Sequence, residues 1–283
     1  MIIGISSLDI ANAKLSVPIN GLITPLTRIP DSVHRFCRPL NFYRPDSPYD
    51  LAFSGSSLLF RYRSRNFQLA TKHQLRMAGQ PDFDPAMACL LFEKDGGHIG
   101  LSPDGATQVK VNSLDDLSAE DILLLEYENQ RGDRPMTPHF LQLDPAQMAG
   151  LAQVPDSQVK LIFSIGYPFH VQGYEPVFDE SYNVTKLDVV ARWAKLYLER
   201  RARARFDLET RIPLRVMEKY HGDIGDPKGW SGAPVFFLWL DAKSDLQLGF
   251  AGMITHGGGT AFGVYPAENI VELVNRAIDT AYQ

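Results

Sequence analysis

Short apolar runs separated by turn residues extend over most of this chain. Residues 51–62 and 67–71 are rich in apolar positions, and a polar Ser-Arg-Asn turn at 64–66 lies between them. Apolar runs of this length, bounded by glycine, proline, aspartate or asparagine, are typical of β-strands. We therefore predict a hairpin over residues 51–71. Further strands are predicted at residues 88–92, 107–111, 121–127, 159–165, 214–219, 234–240 and 248–254.

Two other segments carry apolar residues at spacings of three and four, which favours helices. The first is residues 183–204, which ends in a basic run at 199–205. A solvated helix face explains such a run most simply, and contact with a regulatory or acidic partner is the alternative. The second segment, residues 266–283, predicts an amphipathic C-terminal helix. The apolar positions of the two segments are Leu187, Val190, Ala191, Ala194 and Tyr197, then Ile270, Val271, Val274 and Ile278.

Many short strands with frequent turns indicate an all-β barrel or sandwich. Residues 141–157 contain two Asp and two Pro residues and interrupt the strand pattern, which predicts a link between two β units. The predicted organisation is an N-terminal extension, a first β unit, a linker, a second β unit with a helical insertion, and a terminal helix. Their ranges are 1–50, 51–143, 144–158, 159–265 and 266–283.

Composition narrows the classes of partner and compartment. The formal net charge is −5 and the pI is near 5.8, which gives no electrostatic reason to expect nucleic acid. We find no run of about 18 apolar residues that would predict a membrane span, and the N-terminus lacks the basic and apolar regions of a secretory signal. Only Cys37 and Cys89 occur, which fits a cytoplasmic protein with reduced thiols, although one bridge stays open. No cofactor is expected, and no metal, because no His or Cys pair has zinc-site spacing.

Three segments carry residues suited to acyl transfer, which needs a nucleophile, a base, a group that orients the base and donors for an oxyanion. Ser231 lies in a Gly-Trp-Ser-Gly sequence just before an apolar strand, and the N–H groups of Gly229 and Ser231 would form the oxyanion hole. His73 ends the predicted hairpin and would serve as base. Asp121 opens a strongly apolar strand and would hold the imidazole. An α/β-hydrolase is disfavoured because the serine sequence lacks that family's second glycine.

Together, these segments resemble the chymotrypsin-like (trypsin-like) serine peptidases. Residues 70–73 (Ala-Thr-Lys-His) are similar to the family's Thr-Ala-x-His, and residues 121–125 (Asp-Ile-Leu-Leu-Leu) to its Asp-Ile-Ala-Leu-Leu. Residues 229–234 (Gly-Trp-Ser-Gly-Ala-Pro) are similar to Gly-Asp-Ser-Gly-Gly-Pro, and the order His, Asp, Ser is also the family's. Weaker similarities are the Gly-Tyr-Pro at 166–168 and the strand at 250–257. The resemblance extends from about residue 53 to the C-terminal helix.

The resemblance implies two antiparallel six-stranded β-barrels packed side by side, with His73 and Asp121 on the first and Ser231 on the second. It implies a serine endopeptidase that acts on a protein or peptide substrate. Trp230 occupies the place of an aspartate that pairs with the new N-terminus of activated trypsins, so activation by that route is not expected. Any regulation would need another element, such as residues 1–50.

Specificity is left open by the residues that the resemblance places around the substrate. Thr255, His256 and Gly257 would line the substrate strand and the pocket entrance, and the loop at 223–228 would form the pocket base. Asp226 in this loop would favour a basic side chain, whereas His256 would favour an acidic one. The alternative function is a catalytically silent trypsin-like pseudo-protease, or a docking module gated by a regulatory protein partner.

Overall fold

The computed structural model describes residues 15–43, 51–75, 84–94, 97–108, 121–131, 134–143, 150–205, 207–223 and 226–280. The structure is mostly β, with one closed barrel, one curled open sheet and a C-terminal helix. The helices are α1 (Ile29–His34) and α2 (Ala267–Thr280). The strands of the N-terminal half are β1 (Ser16–Ile19), β2 (Leu22–Pro25), β3 (Cys37–Tyr43), β4 (Leu51–Tyr62), β5 (Arg65–Thr71), β6 (Ala88–Lys94), β7 (Gly97–Leu101), β8 (Gly105–Gln108), β9 (Ile122–Tyr127), β10 (Gln130–Arg131), β11 (Arg134–Pro135) and β12 (Leu141–Gln142). Those of the C-terminal half are β13 (Val159–Gly166), β14 (Gly173–Phe178), β15 (Val184–Val190), β16 (Ala194–Arg200), β17 (Ile212–Val216), β18 (Pro234–Leu240), β19 (Leu246–Gly258) and β20 (Ala261–Pro266).

The C-terminal half forms the closed barrel, in the order β13-β16-β17-β20-β19-β18. Strand β18 shows why the sequence pattern identified this unit. Val235 and Phe237 face one hydrophobic cluster, whereas Phe236 and Leu238 face another, so both faces of the strand are buried. A strand buried on both faces needs a continuous apolar run. The prediction of a six-stranded barrel is confirmed for this unit.

The N-terminal half forms an eight-stranded sheet, in which β7-β6-β3-β4-β5-β9-β8 are successive neighbours and β12 pairs in parallel with β4. The expected six-stranded barrel at 51–143 is not observed, because the pairing among the described residues forms a curled sheet without closing it. Strand β3 pairs with both β4 and β6. Part of the segment interpreted as an N-terminal extension, residues 1–50, is therefore an internal strand of this sheet.

The predicted helix at 183–204 is wrong: this segment forms β15 and β16. Strand β15 pairs with β14 in a hairpin, and β16 is a barrel strand between β13 and β17. Within β16, Leu196 and Leu198 are buried while Lys195 is exposed, which is the period-two pattern of a strand. The apolar positions that suggested a helix belong partly to β15, partly to β16 and partly to the break between them, so their spacing of three and four does not come from one continuous element. The turn that separates β14 from β15 is closed by Asp179, whose carboxylate accepts the N–H groups of Ser181 and Asn183 at 2.8 and 2.9 Å.

A shared hydrophobic cluster joins the two units. It contains Phe60 from the open sheet together with Phe163 and Phe236 from the barrel, all at most 1% exposed. Burial of one such aromatic side chain stabilises a fold by roughly 1.5–3 kcal/mol. Helix α2 adds Ile270 and Val274 to this cluster, which confirms the predicted amphipathic C-terminal helix. No helix among the described ranges, α2 included, has the length and apolar character needed to cross a bilayer.

The two cysteines are free thiols, so the bridge left open by the sequence is not formed. Cys37 is fully buried, and Cys89 is partly buried. Burial raises the pKa of the Cys37 thiol, which keeps it protonated and unreactive.

Candidate active site

His73 and Asp121 are brought together by the pairing of two adjacent strands. Strand β5 pairs antiparallel with β9 so that Thr71 lies opposite Ile122. His73 lies in the short 3-10 turn that follows β5, and Asp121 immediately precedes β9. The ends of two neighbouring antiparallel strands meet at one edge of the sheet, so the two side chains are neighbours there.

Both carboxylate oxygens of Asp121 accept hydrogen bonds from His73. The backbone N–H of His73 donates to Oδ1 at 3.0 Å, and the ring Nδ1 lies 2.7 Å from Oδ2. An ionised carboxylate is only an acceptor, so the neutral imidazole carries its proton on Nδ1. Nε2 is then left with a lone pair that can take a proton. This is the orientation and tautomer that a histidine general base requires.

Ser231 lies in a tight turn between two glycines with positive φ. The φ angles are 92° at Gly229 and 82° at Gly232, a region that residues with a side chain rarely adopt. A Cβ on Gly232 would lie 1.9 Å from the carbonyl oxygen of Ser56, so the turn approaches the open sheet too closely for any side chain there. The N–H of Gly232 donates to the carbonyl of Ile254 at 2.8 Å, which fixes the turn to the barrel as well.

Gln74, the residue after His73, links the histidine to the serine turn. Its Nε2 lies 2.8 Å from the carbonyl oxygen of Ser231 and 2.7 Å from that of Ser54. The backbone N–H of Ser56 donates to the same Ser231 carbonyl at 3.1 Å. The backbone of Ser231 is therefore tied to the residue beside His73 and to strand β4. Sequence reasoning missed this role, because a single glutamine after a histidine is not a motif.

The N–H groups of Gly229 and Ser231 are available as donors. Neither donates a hydrogen bond within the part of the chain that the structure describes. A peptide group is planar and trans, so a fixed carbonyl also fixes the opposite direction of the following N–H. The carbonyl of Lys228 accepts from the N–H of Phe169 at 3.0 Å, and the carbonyl of Trp230 accepts from the N–H three residues later at 3.0 Å. Both candidate oxyanion donors thus have set directions.

Ser56 provides a further link to this turn. Its buried hydroxyl donates to the carbonyl of Gly229 at 2.8 Å and accepts from the N–H of Tyr167 at 2.8 Å. One side chain of the open sheet therefore joins the serine turn to the end of strand β13. Sequence reasoning missed Ser56, whose contacts span more than 100 residues.

Of the predicted specificity residues, Thr255, His256 and Gly257 lie at the end of strand β19. Of these three residues, His256 has a side chain whose pKa is shifted by its surroundings. Burial lowers the pKa of His256, the charge of Arg211 lowers it further, and the charges of Asp121 and His73 also act on it. Strand β19 also contacts the serine turn directly, because the N–H of Gly232 donates to the carbonyl of Ile254, two residues before His256, at 2.8 Å.

Asp226 occupies a different environment. Its carboxylate accepts the backbone N–H of Lys228 at 3.0 Å and lies 3.8 Å from the ammonium group of Lys228. Its side chain is 46% exposed. Asp226 thus closes a local turn on the surface, and it does not line the cavity beside His256.

A scan against models of known protein families finds no match to this chain, and a search of curated proteins finds none either. The described residues contain no group of three or more His, Cys, Asp or Glu side chains arranged to hold a metal ion. The function must accordingly be inferred from the geometry of the site.

Proposed function

We propose that the protein is a serine endopeptidase of the chymotrypsin-like class, with Ser231 as nucleophile, His73 as general base and Asp121 as the group that orients the base. The observation that carries this proposal is the double hydrogen bond between His73 and Asp121, at 3.0 and 2.7 Å. Gln74, the residue that follows His73, contacts the backbone of Ser231. A His–Asp pair of this kind, linked through Gln74 to the backbone of a serine in a tight turn, is suited to acyl transfer.

In the proposed mechanism, the Ser231 hydroxyl oxygen attacks the carbonyl carbon of a peptide bond while Nε2 of His73 takes its proton. The resulting imidazolium donates from Nδ1 to Asp121, whose negative charge stabilises it. His73 then gives the proton to the departing amine, and the acyl group stays on Ser231 as an ester. Water attacks this ester with the same base, which releases the acid and restores the serine.

The tetrahedral intermediate carries a negative oxygen, which needs donors whose directions are set before the reaction. The N–H groups of Gly229 and Ser231 are the candidates, because the carbonyls on the other side of their peptide groups are held by hydrogen bonds. Preorganised donors stabilise the developing charge without the cost of reorienting water.

The test uses the full chain and a fluorophosphonate probe, together with a mixed peptide library. We expect the probe to label the wild-type protein and not Ser231→Ala, and we expect peptide hydrolysis to fall by about 10³-fold or more in that variant. Ser157→Ala, at an exposed serine, is the matched control and should behave like the wild type.

Two outcomes would overturn the proposal. Equal labelling of the wild type and Ser231→Ala would show that another serine reacts. Absence of both labelling and hydrolysis in a correctly folded chain would favour the catalytically silent docking module instead.

A further inference from the structure

A cavity of about 250 Å³ lies beside His256. Residues 201, 207, 208 and 211, between β16 and β17, form one wall, and the β19–β20 hairpin forms the other. We call this space the Arg211 cavity. Its lining includes Arg201, Asp207, Arg211, His256, Gly257 and Phe262. The carbonyl of Ile254, two residues before His256 on β19, accepts the N–H of Gly232 in the serine turn at 2.8 Å. The cavity is therefore adjacent to the candidate active site.

Arg211 brings a buried positive charge to this wall. The residue is only 3% exposed, and its guanidinium group is held from several sides. Nε donates to Oγ1 of Thr255 at 2.9 Å, Nη1 donates to Oγ1 of Thr210 at 3.1 Å, and the guanidinium carbon lies 4.4 Å from the ring centre of Tyr265. An arginine fixed in this way keeps its charge at a constant position. Because Arg211 is almost fully buried, solvent screens its charge less than it screens an exposed charge.

The same contacts determine the tautomer of His256. The Thr255 hydroxyl accepts from Arg211, so its own proton is free to be donated. The nearest acceptor is Nδ1 of His256 at 2.9 Å, since the alternative, the carbonyl of Gly263, lies at 3.5 Å. Nδ1 is then an acceptor, and the ring proton is on Nε2. Burial and the charge of Arg211 lower the pKa of His256, which keeps the ring neutral with an N–H to offer.

The remaining charged groups of the lining balance each other. Arg201 and Asp207 form a two-pronged ion pair at 2.7 and 2.5 Å. Hydrogen bonds from Arg201 and from the backbone N–H of Ala204 lower the pKa of Asp207 to about 2, so Asp207 is ionised at neutral pH. Two arginines and one aspartate leave one net positive charge among the ionised lining residues. Such a wall disfavours a lysine or arginine side chain and attracts a carboxylate.

We propose that the Arg211 cavity binds an acidic side chain of the peptide substrate, Glu or Asp, close to the scissile bond. The charge of Arg211 attracts the carboxylate, and Nε2–H of His256 donates to it. This inference rests on the proposed peptidase activity and adds the substrate class. It also resolves the conflict between Asp226 and His256, because Asp226 is a surface turn residue paired with Lys228.

The first test scans peptides with Glu, Gln, Ala or Lys at each of the four positions before the scissile bond. We expect kcat/KM at one position to be about 10-fold or more higher for Glu than for Gln, since the charge-assisted contact is lost in the amide. Arg211→Met should reduce the Glu-to-Gln ratio to about 1. Arg215→Met removes an equal charge at an exposed arginine that pairs with Glu199, and it should leave the ratio unchanged.

Replacement of the buried Arg211 also perturbs the fold, so His256 provides a second test. His256 is exposed in part and tolerates substitution more readily. His256→Gln keeps an N–H donor and should keep most of the preference, whereas His256→Leu should lose it. Cleavage that depends on Ser231 but shows no preference for Glu or Asp at any position would overturn this inference and leave the proposed function intact.

If no cleavage occurs, the cavity is tested by binding alone. Fluorescence anisotropy of labelled Glu and Gln peptides on the Ser231→Ala chain measures affinity without turnover. Tighter binding of the Glu peptide, abolished by His256→Leu, supports the cavity even if the peptidase proposal fails. Equal affinity for the two peptides would refute it.

Discussion

Replacement of Ser56 by alanine tests the link between the open sheet and the serine turn. The variant removes a fully buried hydroxyl that hydrogen-bonds to the carbonyl of Gly229 and to the N–H of Tyr167, each at 2.8 Å. Both main-chain groups are then left buried without this partner. A buried polar group left unpaired costs about 1–3 kcal/mol, and part of this is offset because the hydroxyl itself no longer has to be dehydrated. We expect the free energy of unfolding to fall by about 2–4 kcal/mol.

Activity should fall as well, because Gly229 carries a proposed oxyanion donor. Removal of an entire oxyanion donor lowers kcat by roughly 10²–10³-fold. Ser56→Ala keeps the donor but loosens its orientation, so we expect kcat to fall by about 10-fold. Ser57→Ala is the matched control. The Ser57 hydroxyl is also fully buried and makes two hydrogen bonds, to the carbonyl of Arg38 at 3.1 Å and from Gln68 at 2.8 Å, but it does not contact the serine turn.

Urea unfolding and peptide hydrolysis at saturating substrate measure the two effects separately. Both variants should lose stability, and only Ser56→Ala should lose kcat. The reasoning is refuted if the urea midpoint of Ser56→Ala equals that of the wild type. It is also refuted if the two variants have the same kcat.

Three further variants test the other parts of the site. Gly232→Ala should lower the free energy of unfolding by about 2 kcal/mol or more, because φ is 82° and the new Cβ would lie 1.9 Å from a carbonyl oxygen. Thermal unfolding measures this loss. The control is Gly258→Ala, whose Cβ would meet no atom within 4 Å and which should change stability by less than about 0.5 kcal/mol. Asp121→Asn should lower kcat at pH 7 by about 10⁴-fold, because the amide favours the wrong tautomer of His73, while circular dichroism stays unchanged. Burial lowers the pKa of His256 in the folded protein. The stability that the neutral ring contributes is therefore complete above its unfolded pKa of about 6.5 and is lost as the pH falls through the folded value. The difference in unfolding free energy between the wild type and His256→Gln should change between pH 7.5 and pH 5, and a constant difference would contradict the assignment.

The strands that were predictable from the sequence are those whose pattern is set by local burial. Strand β18 is observed at Pro234–Leu240, the range expected from its continuous apolar run. Strand β9 shows the same pattern, since Leu124 faces the core shared by the two units while Leu123 and Leu125 face the core of the open sheet. Strand β3 was missed because Arg38 and Pro39 interrupt its apolar positions.

The parts of the site that were not predictable depend on contacts between distant segments. Gln74 reaches Ser231 across 157 positions, and Arg211 reaches Thr255 across 44. An isolated glutamine or arginine gives no signal of such a role in one sequence, because its partners are defined only by the packing of the two units. The pairing of His73 with Asp121 was easier to predict, because both residues lie next to apolar strands and their side chains form hydrogen bonds readily.

Trp230 shows how the serine turn can keep its shape without an activation step. The side chain is 1% exposed and belongs to the barrel core, and a Cβ on Gly166 would lie 2.7 Å from its ring. The resemblance placed at this position an aspartate whose partner appears only after cleavage of the chain. The indole ring needs no ionic partner, because its burial in the barrel core stabilises the turn, although its Nε1–H has no hydrogen-bond acceptor among the described residues. Together with the hydrogen bonds from Ser56 and Gln74 to the turn, this packing holds the serine turn without an ion pair at position 230.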